Sequence, residues 1–202
     1  MIFKKNKVIF LHYPKTGGNS IQDALRSYSD DQIISRKAHQ DGIERFELRN
    51  TEHKNLKKHS TIQDYYNAIG EDLFAYKVFI IIRNPYDRMV SFYFSPHRGN
   101  VHYDRDDFSQ FIKTVPPIEN YISIKKSSFG KRELLSNIKF LKFEKLNEDF
   151  GLLLNELDIQ DVDLPHRNAS NRENYKKYYD DETVKIVSTR HKYEISLGDY
   201  KF

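Results

Sequence analysis

The sequence predicts a three-layer α/β fold in which helices flank a central, mainly parallel β-sheet. Three apolar runs carry this prediction, and each is followed by a helical pattern. The second run, Lys77–Arg83, is nearly continuous in apolar residues, which is typical of a strand buried on both faces of a parallel sheet. Since the chain has 202 residues, no internal repeats and no low-complexity linker, we expect a single domain over residues 1–202.

Strands and helices are expected to alternate along the chain. The first apolar run begins at Val8, and the third covers Ile138–Phe143. No firm element is predicted between Ile33 and Asn50, where the pattern is irregular and charged. Helices are predicted over Ile21–Tyr28, Ile62–Gly70, Asp107–Val115, Glu144–Leu157 and Asp181–Leu197, and a further helix is predicted to start at Asn84-Pro85.

Composition and charge limit the class of protein. Hydrophobic residues make up 38% of the chain and the mean hydropathy is -0.75, which predicts a soluble protein with a modest core. A net charge of +4 favours an anionic ligand, but 29 acidic residues are mixed with 33 basic ones, so a nucleic-acid binder is not expected. Cysteine is absent, which excludes disulfides and cysteine-based metal sites. The apolar runs are short, so neither a signal sequence nor a membrane span is expected.

The turn after the first strand has the composition of an anion-binding loop. The first amides of the following helix have no internal partners, and the helix dipole adds partial positive charge there. Two glycines let the backbone approach a ligand closely, and a lysine supplies a full charge. Asn19 or Ser20 is expected to cap the helix, and Thr16 or Ser20 to donate a hydroxyl to a phosphate oxygen. The residues of this turn are Pro14, Lys15, Thr16, Gly17, Gly18, Asn19 and Ser20.

A simpler interpretation of this turn is a strand-turn-helix corner with a surface lysine. That interpretation explains the glycines and the cap, but not why Pro14, Lys15 and Thr16 crowd into the same turn. The turn is not a Walker A loop, because the pattern G-x-x-x-x-G-K-[ST] is absent and the lysine precedes the glycines.

A second candidate site lies at the end of the strand Lys77–Arg83. Arg83 is placed at the carboxyl end of that strand, and Ser91 lies two turns into the helix that follows. Ligands in open α/β sheets bind at this edge, where the first strand would also place Lys15. A structural salt bridge for Arg83 and a packing role for Ser91 are the alternative interpretations.

Together, the two motifs resemble those of sulfotransferases that use 3′-phosphoadenosine 5′-phosphosulfate (PAPS). Pro14–Ser20 is similar to the 5′-phosphosulfate loop of that family, although Gly18 and Asn19 stand where relatives often carry other small residues. Phe79–Tyr93 resembles the family's 3′-phosphate motif, a strand that ends in Arg and is followed by a helix that carries Ser. The resemblance covers most of the chain, is closest to the carbohydrate-type branch, and implies a P-loop-like version of the α/β fold.

The resemblance implies PAPS as the sulfuryl donor, adenosine 3′,5′-bisphosphate (PAP) as the product, a saccharide or glycan hydroxyl as the acceptor, and no metal. It also implies that the basic loop Leu164–Arg172 closes over the nucleotide, with a plain surface connection as the alternative. Many eukaryotic relatives are anchored Golgi enzymes and no anchor is expected here, so a bacterial-type cytoplasmic enzyme is predicted. The residues implied to bind the nucleotide are Lys15, Thr16, Gly17, Gly18, Asn19, Ser20, Arg83, Ser91, Ser170 and Arg172.

Sulfuryl transfer also needs a group that takes the proton of the acceptor hydroxyl. By analogy with phosphoryl transfer, Lys15 would stabilise charge on the leaving group. His59 is the first candidate for the base, because an imidazole accepts a proton near neutral pH. Its position just ahead of a predicted helix resembles the site of the base in several carbohydrate sulfotransferases, whereas a surface residue at a helix cap is the alternative. His39 is the second candidate, and Glu44 or Glu47 would serve if the base is a carboxylate.

Two other functions remain compatible with these residues. A nucleotide kinase or another P-loop phosphotransferase would use similar ligand chemistry, but the missing Walker A order argues against it and a metal requirement would argue for it. A non-catalytic module for nucleotides or polyanions would bind without turnover.

Overall fold

The computed structural model describes residues 1–37, 45–95, 98–99, 101–126, 130–165 and 173–202. Strands and helices alternate over much of this part of the chain, which confirms the predicted α/β class. The strands are β1 (Ile2–Phe3), β2 (Val8–Leu11), β3 (Asp31–Lys37), β4 (Arg45–Asn50), β5 (Lys77–Ile82), β6 (Ser123–Ile124), β7 (Glu133–Leu134) and β8 (Ile138–Lys142). The helices are α1 (Gly18–Leu25), α2 (Ile62–Ile69), α3 (Pro85–Tyr93), α4 (Arg105–Thr114), α5 (Glu119–Ile122), α6 (Leu146–Leu157), α7 (Asp181–Arg190) and α8 (Lys192–Gly198).

The central sheet has the strand order β1-β2-β5-β8. β2 pairs with β5 and β5 pairs with β8 in parallel, whereas β1 pairs antiparallel with β2. The antiparallel pair arises because a short turn that ends at Lys7, with φ 53, joins β1 to β2. A turn of this length joins only antiparallel neighbours, while each parallel connection here spans a helix. The sheet is therefore mixed, with helices covering it.

Side chains of the sheet alternate between two apolar clusters, as the period of two along a strand requires. Leu11 and Ile80 lie in the cluster that includes residues of α2 and α5. Phe10 and Phe79 lie in the cluster that includes residues of α1 and α6. β5 is buried from Val78 to Ile82, so its nearly continuous apolar sequence is explained by cover on both faces.

A third apolar cluster joins α3 to α4 and α7. Its centre is Tyr93, whose ring meets Phe108 at 5.2 Å and Phe111 at 5.6 Å between centroids, both edge to face. Aromatic pairs of this geometry add about 0.5–1.5 kcal/mol beyond their buried area. The cluster fixes the direction in which α3 leaves the sheet, and so the placement of the residues at its first turn.

The predicted starts of α2 and α3 are confirmed. Thr61 caps α2 and forms a capping box with Asp64. The side chain of each residue accepts a hydrogen bond from the backbone amide of the other. The side chain of Asn84 accepts a hydrogen bond from the amide of Tyr86, and Pro85 occupies the first position of α3.

α1 starts earlier than the sequence predicts. It covers Gly18–Leu25 rather than Ile21–Tyr28, its N-cap is Gly17 with φ 83, and no side chain caps it. The prediction that Asn19 or Ser20 caps this helix is therefore wrong, since both lie inside its first turn. A glycine enters the left-handed region without a Cβ penalty, so the chain turns directly into the helix.

Two other predictions are corrected. The region between Ile33 and Asn50 contains β4 and most of β3, which pair antiparallel; the sequence analysis missed them because β3 has no regular alternation and the alternation of Phe46 and Leu48 with charged residues in β4 is short. The predicted helix Asp181–Leu197 is divided into α7 and α8, which meet at His191. Within the described residues, no helix is both long and apolar enough to cross a membrane.

Candidate active site

Parallel pairing of β2 with β5 brings the two sequence motifs to one edge of the sheet. Leu11, the last residue of β2, is paired with Ile80, so both strands end on the same side. The loop that carries Lys15 follows β2, and Arg83 follows β5. The Nη1 atom of Arg83 donates a hydrogen bond of 3.0 Å to the main-chain oxygen of Lys15, across 68 positions of sequence. The predicted proximity of Lys15 and Arg83 is thus present.

The loop from Pro14 to Gly17 has an unusual backbone. Lys15 has φ 67 and Gly17 has φ 83, so two residues of this short segment are left-handed. For lysine this conformation costs roughly 1–2 kcal/mol, which neighbouring contacts must offset. The Thr16 hydroxyl donates to the main-chain oxygen of Tyr13 at 2.8 Å and is buried. That hydroxyl therefore donates its proton within the loop and stabilises it. The group of Thr16 that remains to donate to an anion is its backbone amide.

Gly18 is required by the close approach of His12. A Cβ built on Gly18 would lie 2.3 Å from Cδ2 of His12, which is far inside van der Waals contact. The α1 amides follow directly after this contact, and Ser20 is buried in the first turn of the helix. The start of α1 is consequently packed against the residue that follows β2.

The Arg83 guanidinium is held on several sides. Its Nε donates to Oδ2 of Asp87 at 2.8 Å, and its Nη2 lies 2.5 Å from the same oxygen. Its Nη1 is 3.5 Å from Oγ of Ser91, and its Cζ lies 4.1 Å from the centre of the Phe143 ring. Arg83 and Ser91 are thus brought together as predicted. The salt bridge considered as the alternative for Arg83 is also present, with Asp87 as its partner.

His59 lies beside the end of β2. Its Nδ1 is 3.0 Å from the main-chain oxygen of His12, and the two imidazole rings are 4.5 Å apart between centroids. A carbonyl oxygen only accepts hydrogen bonds, so Nδ1 of His59 carries a proton. In the neutral ring, Nε2 is then the acceptor nitrogen. His59 is exposed, so its ring is accessible from solvent.

His12 is a structural residue, fully enclosed between β2 and α1. Its Nδ1 lies 2.8 Å from Oε1 of Gln22, to which it donates. Burial, with smaller contributions from His59 and Lys58, holds the pKa of His12 well below its usual value. His12 therefore remains neutral and supports His59 through its ring and its main-chain oxygen.

His59 also lines a pocket of about 380 Å³ next to the capping box of α2. Glu47 of β4, which the sequence analysis names as an alternative base, lies on the same pocket. An isolated bridge between Arg49 and Lys57 attaches the hairpin β3-β4 to the segment that carries His59. The residues that line this pocket are Glu47, Asn55, Lys57, Lys58, His59, Ser60 and Asp64.

Several predicted site residues lie outside the part of the chain that the structure describes. They are His39, Glu44, Ser170 and Arg172. In the described part, no group of three or more His, Asp or Glu side chains has the arrangement of a metal site.

The sequence analysis missed two sets of residues at this edge. One is Asp87, whose spacing of four from Arg83 at a helix start is a detectable signal for an ion pair. The other is a fully buried group beneath the loop. In that group, Oε2 of Glu194 accepts from the Tyr13 hydroxyl at 3.3 Å and from Nη2 of Arg88 at 3.4 Å. Nothing in the charge pattern of α3 or α8 distinguishes these residues from surface residues.

The buried group has perturbed proton affinities. Burial raises the pKa of Glu194, against the opposing effect of the Arg88 charge. Burial, together with the charge of Arg88, lowers the pKa of His191 to about 3. The Cζ of Arg88 lies 4.2 Å from the centre of the Tyr13 ring, directly before the loop. These contacts anchor the C-terminal helix pair to the start of the candidate site.

Comparison with known proteins agrees with this geometry. The model of a family described as the sulfotransferase family matches residues 1–201. No curated protein and no solved structure gives a significant match. The family match covers both motifs and nearly the whole chain. The protein therefore belongs to the sulfotransferase family.

Proposed function

We propose that this protein transfers a sulfuryl group from PAPS to a hydroxyl of a carbohydrate acceptor, and that residues 1–202 act as one P-loop-like domain. The observation that carries the proposal is the hydrogen bond between Arg83 and the main-chain oxygen of Lys15. It joins a loop suited to the 5′-phosphosulfate to a cation suited to the 3′-phosphate. The family match supports sulfuryl transfer in general.

The donor is expected to lie along the edge formed by the ends of β2 and β5. The 5′-phosphosulfate would meet the α1 amides and the Lys15 ammonium, since α1 begins at Gly18 without a side chain that caps its first amides. The 3′-phosphate would meet Arg83 and Ser91, whose side chains already face each other. This second contact distinguishes PAPS from a donor without a 3′-phosphate, such as ATP.

Transfer proceeds as an in-line displacement in this proposal. The acceptor oxygen forms a bond to sulfur while the bond between sulfur and the 5′-phosphate oxygen breaks, and PAP leaves with the electron pair. The Lys15 ammonium and the α1 amides stabilise the charge that develops on the leaving oxygen. The acceptor proton passes to Nε2 of His59, the nitrogen that the contact with His12 makes the acceptor.

The pocket beside His59 is the proposed acceptor site. All of its lining residues are polar or charged, which suits a ligand covered with hydroxyl groups better than an apolar one. Glu47 and Lys57 offer an acceptor and a donor on opposite segments, the β4 strand and the turn before α2. A saccharide hydroxyl bound there would lie next to the base.

A thermal-shift titration with PAP and ADP, each with and without Mg²⁺, tests the donor. A ligand at about 100 times its Kd adds about 2.7 kcal/mol to the free energy of unfolding. For a chain of this length each kcal/mol raises Tm by roughly 2–4 °C. We expect a metal-independent rise of that size with PAP and little with ADP.

Two variants test the roles assigned to single residues. Lys15→Ala should abolish turnover with the fold intact, and Ser91→Ala should weaken PAP more than ADP because only PAP has a 3′-phosphate. A Mg²⁺-dependent response to ADP or ATP would instead support a phosphotransferase. No response to any nucleotide would refute the donor assignment.

A further inference from the structure

The contact between Arg83 and Lys15 involves the main chain of Lys15 rather than its side chain. The oxygen that accepts the hydrogen bond from Nη1 belongs to the residue with φ 67. Such a backbone needs contacts that hold it in place, because lysine has no intrinsic preference for the left-handed region. Arg83 supplies one from a different strand, so the conformation of the loop depends on where the guanidinium lies.

Asp87 determines where the guanidinium lies. Its Oδ2 accepts a hydrogen bond of 2.8 Å from Nε and lies 2.5 Å from Nη2. Contacts to two neighbouring nitrogens fix both the position and the plane of the guanidinium. The Phe143 ring covers one face of the same group. Asp87 is four residues after Arg83 on the first turn of α3, whose Asn84 cap is also formed, so this carboxylate has a rigid base.

Electrostatics make this arrangement costly for an arginine that only binds phosphate. A carboxylate at 2.5 Å offsets the positive charge that would attract a phosphate, and it occupies two of the three nitrogens. The arrangement is understandable if the Asp87-Arg83 pair holds the Lys15 oxygen in addition to meeting a phosphate. Nη1 then remains directed to the loop and to Ser91.

We infer that Asp87 is a positioning residue for the loop Pro14–Gly17: it fixes Arg83, and Arg83 fixes the left-handed backbone of Lys15. Because of this link, a residue on the 3′-phosphate side of the site controls the shape of the 5′-phosphosulfate side. The statement about the loop rests on geometry alone, while its consequence for the nucleotide rests on the proposed function.

Amide hydrogen exchange in the ligand-free protein tests the positioning role without any nucleotide. In Asp87→Ala we expect the amides of Lys15–Ser20 to exchange about tenfold faster or more, with Asp87→Asn intermediate because one oxygen remains as an acceptor. Asp107→Ala is the matched control, since Asp107 on α4 forms an arginine-carboxylate pair with Arg98. An unchanged exchange rate in the loop would overturn the inference. An equal increase of the exchange rate in the loop and in β5 would also overturn it, because it would indicate only a loss of global stability.

Nucleotide titration by calorimetry tests the consequence. Adenosine 5′-phosphate and adenosine 3′-phosphate each probe one side of the site. We expect Asp87→Ala to weaken adenosine 5′-phosphate about tenfold or more, even though Asp87 is on the other side. An effect on adenosine 3′-phosphate alone would overturn the link between the two sides. If the unaltered protein binds neither nucleotide, the proposed function fails, and the exchange measurement still decides the role of Asp87.

Discussion

The Nδ1 atom of His59 lies 3.0 Å from the main-chain oxygen of His12, and this contact sets which nitrogen of His59 can accept a proton. The oxygen belongs to the residue that follows β2, so the orientation of the imidazole is tied to the central sheet. The capping box of α2 fixes the chain two residues later. His59 is thus exposed to solvent on one side and held firmly on the other, which is what a general base needs.

Removal of His59 should abolish most turnover and leave nucleotide binding intact. His59→Ala is expected to lower kcat by roughly 10²–10⁴-fold with the Kd for PAP unchanged, because in the proposed mechanism the imidazole takes the proton of the acceptor and does not contact the donor. His59→Asn keeps a donor near the His12 oxygen but has no base, so it should be as inactive. Steady-state kinetics and calorimetry measure the two quantities. His53→Ala is the control, and a normal kcat in His59→Ala would remove His59 from the mechanism.

Addition of a methyl group to Gly18 should disturb both stability and activity. In Gly18→Ala the new Cβ would meet the ring of His12, which is buried and bonded to Gln22 and so has little room to move. Overpacking of this kind costs typically 1–3 kcal/mol. Gly151→Ala in α6 is the matched control, since nothing lies within 4 Å of its Cβ and alanine should stabilise the helix by about 0.5–1 kcal/mol. Urea unfolding distinguishes the two, and similar effects for both glycines would contradict the prediction.

The unfolding free energy should decrease as the pH falls from about 6.5 to 3, in part because of His191. Its pKa is about 3 in the folded protein, and an unfolded histidine has a pKa of about 6.5. Between these values the unfolded state binds a proton that the folded state does not, so stability rises with pH and is lost on acidification. One such proton contributes up to about 1.4 kcal/mol per pH unit.

His191→Gln isolates this contribution. Between about pH 3 and 6.5, the free energy of unfolding should depend less steeply on pH in this variant. The slope should decrease by up to the contribution of one proton, whatever the variant does to stability at neutral pH. His12 also has a lowered pKa, so a residual slope is expected. Identical slopes for the variant and the unaltered protein would show that His191 does not remain neutral.

The buried pair of Arg88 and Glu194 should show strong coupling in a double-mutant cycle. Arg88→Met or Glu194→Leu alone leaves one charge enclosed without its partner, which typically costs 3–5 kcal/mol. The double variant should cost much less than the sum of the two, because no unpaired charge remains. Urea unfolding provides the three free energies. Additive effects would mean that the two groups do not interact across their 3.4 Å contact.

The local patterns in the sequence were sufficient for the three parallel strands of the central sheet, but not for the short antiparallel strand β1. The apolar run before Arg83 and the Asn84-Pro85 helix start both predict structure through interactions between near neighbours, and both are confirmed. The hairpin β3-β4 was missed because charged and polar residues dominate both strands, so their apolar residues form no long alternating pattern. The break at His191 was missed because an apolar helical pattern continues on either side of it.

The site was only partly predictable for a related reason. Lys15 and Arg83 are recognisable because the motifs place each after the end of a strand, and Ser91 because it lies on the helix that follows Arg83. The role of Asp87 depends on the hydrogen bond from Arg83 to a main-chain oxygen, and no pattern of side chains in the sequence encodes a contact to the backbone. Placement of the nucleotide, the identity of the acceptor and a cytoplasmic location stay predictions.

The long sequence separation within the candidate site has a consequence for folding kinetics. Val8 pairs with Lys77, and Val78 pairs with Ile138, so the site forms only after long segments of chain have been closed into loops. An early folding intermediate with local helices would lack the edge at which Lys15 and Arg83 meet. We therefore expect saturating PAP to slow unfolding in stopped-flow experiments while it leaves the refolding rate nearly unchanged, because the ligand stabilises contacts that the transition state has not yet made. The bound nucleotide would then protect the folded protein against unfolding without assisting its folding.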